Sequence, residues 1–128
     1  MARILVVDDQ AHVRAAIVVA LRADAFDAIG AEDAVSALHA FETIHFDLAV
    51  VDVYMPHTDG VQLIKALRER SPRLPIVAIS GVRLNATHTT ALEFLPKLPG
   101  MSEIVCLQKP FRTGELSRAI RTALAVPA

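Results

Sequence analysis

The stretch that decides the fold is Leu48–Ile64, "LAVVDVYMPHTDGVQLI", in which an apolar run ends at an aspartate. Four apolar residues precede Asp52, and a Met-Pro pair and an Asp-Gly pair follow it closely. An unbroken apolar run is typical of a strand buried on both faces, whereas Pro and Gly so soon afterwards predict a loop. We therefore expect Asp52 to end a buried strand at the point where the chain leaves the core.

Other short apolar runs share this pattern, and longer segments with helical spacing separate them. Strands are predicted at residues 3–7, 26–30, 48–52, 76–80 and 104–108. The apolar positions at helical spacing are Val13, Ile17, Ala20 and Leu21, then Val35, Leu38 and Phe41, then Val61, Ile64 and Leu67, and finally Leu116, Ile120 and Leu124. Asp33, Asp59 and Thr113 are expected to cap helices. Because each helix follows a strand, the pattern predicts an open, doubly wound α/β fold with a parallel sheet and helices on both faces.

The composition fits one compact domain. With 128 residues, 53% of them hydrophobic and 21% charged, the chain can bury its own core, so residues 1–128 are predicted to form one domain. The single cysteine, Cys106, excludes an internal disulfide. The N-terminus has only a short apolar run before two acids, and the net charge of −1 is made of interspersed signs. We therefore expect a cytoplasmic protein that binds neither membranes nor nucleic acid directly.

Polar residues stand at the carboxyl ends of most of the predicted strands. Asp8 and Asp9 follow the first strand, Asp52 ends the third, Ser80 ends the fourth and Lys109 follows the fifth. In a doubly wound sheet, ligands bind outside those strand ends. We therefore expect these side chains to line one site.

The chemistry of these side chains indicates a metal and a phosphoryl group. Clustered carboxylates repel one another unless a cation neutralises them, and oxygen ligands without a nearby set of His or Cys suit Mg²⁺. An aspartate beside such an ion can attack phosphorus and form an acyl phosphate, and Asp52 is the candidate. Lys109 and the Ser80 hydroxyl would then offer positive charge and a donor to the transferring group.

The segments "VVDD", "DVYMPHTDG", "IVAIS" and "QKPF" resemble the signature motifs of the receiver domain of bacterial two-component response regulators. The resemblance covers nearly the whole chain. It implies a flavodoxin-like sheet of five parallel strands in the order 2-1-3-4-5, flanked by five helices. It also implies that Gly60 relaxes the backbone where the third helix begins.

Matched motif by motif, the resemblance assigns a role to each polar residue of the predicted site. Asp8 and Asp9 resemble the acidic pair that holds Mg²⁺. Asp52 resembles the phosphoacceptor, which is itself a metal ligand. Ser80 resembles the switch hydroxyl, and Lys109 resembles the lysine that precedes a Pro of cis geometry.

The implied function is that of a phosphoacceptor switch in a two-component system or phosphorelay. A sensor histidine kinase or a histidine phosphotransfer protein would donate the phosphoryl group, with Mg²⁺ also bound by the backbone carbonyl of Tyr54. Phosphorylation would change binding to a downstream protein. The chain would not be an enzyme beyond its own phosphoryl transfer and dephosphorylation. Because it ends soon after Lys109, we expect either a stand-alone regulator or a piece of a longer regulator or hybrid kinase.

Two departures from the family pattern concern the output of the switch. Cys106 stands where receivers usually carry Tyr or Phe. The segment from Gly81 to Glu103 is longer than usual, and Pro96 and Pro99 restrict a fourth helix to about residues 85–95. We expect an atypical fourth helix region and an unusual conformational response. The departures also leave open a degenerate receiver that acts as a phosphorylation-independent interaction module.

Tyr54, two positions after Asp52, bears on the lifetime of the phosphorylated state and on the first of two enzyme alternatives. Tyr54, like Val82 beyond Ser80, offers no group that activates water, so self-hydrolysis is predicted to be slow. A magnesium-dependent hydrolase resembling haloacid dehalogenases would need a second acid at Tyr54. A dinucleotide enzyme would need glycines that the segment "DDQAHVR" lacks.

Overall fold

The computed structural model of the protein describes residues 1–55, 58–81 and 103–125. In chain order the elements are β1 (Arg3–Val7), α1 (Ala11–Ala23), β2 (Asp27–Ala31), α2 (Ala34–Thr43), β3 (Leu48–Asp52), β4 (Tyr54–Met55), β5 (Thr58–Asp59), α3 (Gly60–Arg70), β6 (Ile76–Ser80), β7 (Val105–Gln108) and α4 (Thr113–Ala125). Across these ranges, every helix is too short or too polar to span a lipid bilayer.

The described strands form a parallel sheet and a small hairpin. The five longer strands lie in the order β2-β1-β3-β6-β7, and each neighbouring pair is parallel. The hairpin of β4 and β5 is antiparallel, pairs Tyr54 with Asp59, and was not predicted. When the hairpin is left out of the count, the order is second, first, third, fourth and fifth strand, so the predicted flavodoxin-like order is confirmed.

Helices cover both faces of the sheet, which explains the unbroken apolar runs. All residues of β3 and β6 are buried. On one face Val7 and Val51 pack with the apolar sides of α2 and α3, and on the other face Val6 and Val50 pack with α1 and α4. Successive side chains of a strand point to opposite faces, so each strand feeds two cores. The predicted doubly wound architecture is confirmed.

Two predicted strands begin one residue later than expected. The last strand begins at Val105, and β2 begins at Asp27 instead of Phe26. The Phe26 amide donates to the carbonyl of Leu21 at 3.0 Å, and Ala25 turns the chain with a φ of 66°. The amide of Phe26 therefore closes the end of α1 and is not available to the sheet.

Of the three predicted helix caps, Asp33 and Asp59 are confirmed and Thr113 is corrected. Asp33 caps α2, because its carboxylate accepts from the amide of Ser36 at 2.8 Å. Thr113 is not a cap, because α4 already begins at this residue. The carboxylate of Glu115 accepts from the amide of Arg112 at 3.0 Å. Arg112 therefore precedes the helix and Glu115 closes back onto it, as in a capping box.

The inward face of α2 matches the prediction at Leu38 and Phe41 and differs from it at Val35. Val35 was expected to face the core, but it is 79% exposed. Ala37 is fully buried, and Ala34 and Leu38 pack against the same core. The buried face of α2 is built largely from alanines, which carry a weaker hydrophobic signal than a valine on the outer side.

Some predictions concern residues outside the described ranges. These are the fourth helix at residues 85–95, its limits at Pro96 and Pro99, and the position of Val82 beyond Ser80. They stay predictions. Within the described ranges, the first, second, third and last predicted helices are present as α1, α2, α3 and α4.

The helix that follows the β4–β5 hairpin packs directly on the backbone that leaves β3. Asp59 caps α3 as predicted, since its carboxylate accepts from two amides of the first turn. A Cβ on Gly60 would overlap the carbonyl oxygen of Asp52 and the Cα of Val53. Gly60 adopts no left-handed φ, so the expectation that it relaxes the backbone is wrong. Glycine is needed here because there is no space for a side chain.

Replacing Gly60 by Ala is expected to lower the free energy of unfolding by about 1–3 kcal/mol, because backbone atoms cannot move aside as a flexible side chain can. The matched control is Gly114→Ala in the first turn of α4, where a Cβ would meet nothing within 4 Å. This control is expected to raise the free energy of unfolding by about 0.5–1 kcal/mol. Urea titrations of both variants measure the effect, and changes of the same sign would contradict the close packing.

Candidate functional site

The carboxyl ends of three parallel strands bring Asp8, Asp52 and Lys109 together. Asp8 follows β1, Asp52 ends β3 and Lys109 comes directly after β7. By strand alternation Asp8 and Asp52 fall on the face that Val6 and Val50 share, toward α1 and α4. Because β6 lies between β3 and β7, the lysine side chain spans the width of one strand to reach the acids.

Lys109 bridges two buried carboxylates. Its Nζ lies 2.8 Å from Asp8 Oδ2 and 3.1 Å from Asp52 Oδ2. Asp8 is fully buried and Asp52 is 4% exposed. The other oxygen of each acid accepts a backbone amide, from Gln10 to Asp8 at 2.9 Å and from Tyr54 to Asp52 at 3.0 Å. Both acids are thereby hydrogen-bonded, as buried charges require, and each fastens the loop that follows it.

Asp9 lies exposed beside this pair and completes an acidic group. One carboxylate oxygen from each of Asp8, Asp9 and Asp52 lies within 4.8 Å of the others. When all three acids are ionised, Lys109 compensates one charge and two negative charges remain. One Mg²⁺ matches this charge and prefers such oxygen donors, so the residues present fit the predicted ion.

Burial and charge compete in this site. Burial raises the pKa of Asp52 above its ordinary value and Asp8 adds to the rise, although the Tyr54 amide and Lys109 oppose it. Burial alone would lower the pKa of Lys109, but the hydrogen bond to Asp8 and the charge of Asp52 outweigh burial and raise the pKa. Lys109 is therefore an ammonium at neutral pH, whereas the Asp52 carboxylate is incompletely compensated.

Ser80 lies at the same edge but starts from the other face of the sheet. It is fully buried at the end of β6, and its carbonyl accepts from the amide of Lys109 at 2.9 Å. By alternation it shares a face with Ala78, which packs toward α2 and α3. Asp52 lies on the opposite face with Val50. The role of Ser80 as switch hydroxyl stays a prediction.

The strand that leads to Lys109 contains Cys106, the residue that departs from the family pattern. Cys106 is half-buried in β7 against the core of α2 and α3, and burial raises the pKa of its thiol. The Lys109–Pro110 peptide bond is cis, as the resemblance implies. The cis peptide bond after Lys109 therefore agrees with the family pattern. Cys106, a small side chain, stands where the family usually carries an aromatic ring.

Tyr54 joins a fixed backbone to an exposed ring. Its amide is held by Asp52, whereas the residue is 56% exposed. The ring therefore lies at the surface, two residues after the candidate phosphoacceptor. The predicted role of the Tyr54 carbonyl as a metal ligand stays a prediction, and Val82, its counterpart, lies outside the described residues.

Sequence reasoning missed Arg14. Its guanidinium donates to the backbone carbonyl of Asp8 at 2.7 Å, and its side-chain carbons lie against Gly30 of β2. An arginine on a partly exposed helix is usually a solvated side chain with a packed stem, so its spacing gave no signal.

Comparison with known proteins identifies the family to which this fold and this acidic group belong. The family model described as "Response regulator receiver domain" matches residues 4–121. The chain belongs to this family. Its function is that of a phosphoacceptor switch in two-component signalling.

Two relatives are longer proteins that contain a stretch similar to this chain. The regulatory protein AtoC of Escherichia coli strain K12 is 32% identical over 122 residues, which cover 95% of this chain and 25% of AtoC. The sensor protein EvgS of the same strain is 40% identical over 78 residues, which cover 61% of this chain and 6% of EvgS. The chain thus spans a quarter or less of both relatives.

A solved structure of a short relative matches over its whole length. The chemotaxis protein CheY4 of Vibrio cholerae superimposes with a TM-score of 0.83 at 26% identity, covering 96% of this chain and 98% of that one. The arrangement of the described helices and strands is therefore similar to that of this chemotaxis protein.

The Asp52→Asn variant is expected to be more stable than the wild type in Mg²⁺-free buffer at neutral pH. The pKa of Asp52 in the folded protein is raised, mainly by burial. The contribution of this carboxyl to the free energy of unfolding is therefore fully present below its pKa in the unfolded chain. That contribution is lost as the pH rises through the folded pKa. The gain should therefore shrink toward acid pH, as followed by urea denaturation across the acid range.

Asp33→Asn is the control of opposite sign. The pKa of Asp33 is lowered by hydrogen bonds from Ser36, so its contribution is present above its unfolded pKa and is lost as pH falls through the folded pKa. A gain from Asp52→Asn that does not depend on pH would contradict the attribution to a buried charge.

Proposed function

We propose that the protein takes a phosphoryl group on Asp52 from a phosphohistidine, with Mg²⁺ held by Asp8, Asp9, Asp52 and the backbone carbonyl of Tyr54. The observation that carries the proposal is the ammonium of Lys109 in contact with both buried acids. A lysine with a purely structural role at the surface has no reason to lie between two carboxylates that also fit a divalent ion.

The transfer step uses Asp52 as the nucleophile. A carboxylate oxygen attacks phosphorus, the bond from phosphorus to the donor imidazole breaks, and the imidazole leaves with the electron pair. The amide of Tyr54, 3.0 Å from Asp52 Oδ1, holds the carboxylate in one orientation before attack. Bound Mg²⁺ supplies positive charge to the carboxylates and to the phosphoryl oxygens.

Lys109 and Ser80 act on the product in different ways. Lys109, whose raised pKa keeps it charged, offers its ammonium to a phosphoryl oxygen and gives up part of its contact with Asp52. Ser80 starts on the opposite face of the sheet from Asp52, so its hydroxyl has to swing toward the phosphoryl group. Such a displacement, made only in the phosphorylated state, is what a switch requires.

The donor is proposed to be a sensor histidine kinase or a histidine phosphotransfer protein, and the output is binding to a downstream protein. Similar stretches in a regulatory protein and in a sensor protein support this assignment. A degenerate interaction module would have no need for the acidic group and the bridging lysine, which favours the phosphoacceptor. A hydrolase is disfavoured because Tyr54 stands where that chemistry needs a second acid.

Incubation with acetyl phosphate and Mg²⁺ is expected to add one phosphoryl group to the wild type, detected as an intact-mass increase. Asp52→Asn should gain none, because the nucleophilic oxygen that carries the group is lost. Asp33→Asn, which changes an aspartate that caps a helix, should be labelled like the wild type. A chelator should prevent labelling. An adduct on Asp52→Asn, or none on the wild type, would contradict the proposal.

Tyr54→Ala is expected to shorten the lifetime of the phosphorylated state severalfold, because we propose that the exposed ring, two residues after Asp52, obstructs the path of water. Tyr54→Phe keeps the ring and should leave the lifetime nearly unchanged. Loss of the mass adduct with time after removal of the donor measures both rates. Equal or slower decay in Tyr54→Ala would refute the obstruction.

A further inference from the structure

Asp8 has a backbone carbonyl that lies past the end of β1, where the sheet no longer provides a partner. The residue is fully buried. Its amide still donates to the carbonyl of Ala31 at 3.2 Å, and its carboxylate is bound by Gln10 and Lys109. Its own carbonyl accepts from Arg14 at 2.7 Å. Because a buried carbonyl needs a hydrogen-bond partner, Arg14 satisfies a group that the sheet leaves over.

The path of the Arg14 side chain depends on a glycine. An ideal Cβ on Gly30 would lie 3.1 Å from both Cγ and Cδ of Arg14, closer than side chains normally approach. Gly30 pairs with Val6, two residues before Asp8. The stem of Arg14 therefore crosses β2 at the one point where this strand has no side chain, and it ends at the acidic loop.

We infer that Arg14 is a positioning residue for the proposed Mg²⁺ site, an inference that rests on the proposed function. By holding the Asp8 carbonyl, Arg14 fixes the peptide plane between Asp8 and Asp9. That plane sets the direction in which the exposed Asp9 side chain leaves the backbone. Among the described residues, no hydrogen bond restrains the Asp9 carboxylate itself, so its placement depends on the backbone.

The positive charge of Arg14 acts against this role and so makes it testable. A guanidinium near a divalent cation repels the cation, so loss of charge alone would strengthen Mg²⁺ binding. Loss of the hydrogen bond would instead release the peptide plane and weaken binding, as happens when a group that supports a metal ligand is removed. The two effects have opposite signs.

The same helix offers a matched control. Arg22 of α1, like Arg14, donates to a backbone carbonyl, in this case that of Ala28 in β2, at 2.9 Å. Ala28 pairs with Ile4, near the end of the sheet that lies away from the acids. Arg22→Met thus removes the same kind of hydrogen bond without touching the loop of Asp8 and Asp9.

The experiment is a titration of the full ¹⁵N-labelled chain with Mg²⁺, followed by the amide signals of Asp9 and Gln10. Arg14→Met is expected to weaken Mg²⁺ affinity about tenfold, and Arg14→Lys, which keeps a donor, to recover part of the loss. Arg22→Met should bind Mg²⁺ like the wild type. Gly30→Ala keeps the guanidinium but displaces its stem, so it should weaken binding in the wild-type background and not in Arg14→Met.

Affinity of Arg14→Met within twofold of the wild type, or tighter, would overturn the inference, as would an equal effect of Gly30→Ala in both backgrounds. Absence of Mg²⁺ binding by the wild type would instead contradict the proposed function. In that case the metal-free spectra still decide whether Arg14 holds the peptide between Asp8 and Asp9. Asp9 and Gln10 signals that move in Arg14→Met and not in Arg22→Met would support it, and unmoved signals would overturn it.

Discussion

The site depends on the contact of one ammonium with two buried carboxylates. Lys109 follows the edge strand β7 and reaches Asp8 and Asp52, which stand at the carboxyl ends of the interior strands β1 and β3. Without it, burial would make these charges too costly to keep close together. With Lys109 in place, negative charge still remains uncompensated, because the carboxylate of Asp9 lies close to those of Asp8 and Asp52. An arrangement that stays short of positive charge is suited to bind a divalent ion and then a phosphoryl group.

The alternation of side chains along each strand decides toward which face of the sheet the two acids and Ser80 point. Asp8 and Asp52 have the same strand parity as Val6 and Val50, so they leave the sheet toward α1 and α4. Ser80 has the other parity and leaves toward α2 and α3. The acids and the serine therefore lie on the sides of two different hydrophobic cores, although they share one edge of the sheet. A change at Asp52 that draws the serine across this edge would couple the two faces of the molecule.

Much of this arrangement was predictable from residues alone, because the carboxyl ends of parallel strands must share an edge. The buried runs gave the strands, and the polar residues that end them gave the candidate site. Contacts that depend on packing were not predictable. The need for glycine at Gly60 comes from backbone atoms of Asp52 and Val53 across a loop. Val35 follows the helical period but faces solvent, because α2 is turned so that Ala37 and Leu38 face the core. The contact of Arg14 with the Asp8 carbonyl depends on Gly30, the position where β2 has no side chain.

The central claim is that Asp8, Asp9 and Asp52 gather around one divalent ion, and paramagnetic Mn²⁺ tests it most directly. At substoichiometric Mn²⁺, the amide signals of Asp9, Gln10 and Tyr54 should broaden first, and added Mg²⁺ should restore them. Amides at the other edge of the sheet, such as that of Asp27, should stay sharp. Broadening centred on Asp27, or broadening that Mg²⁺ does not reverse, would contradict the account.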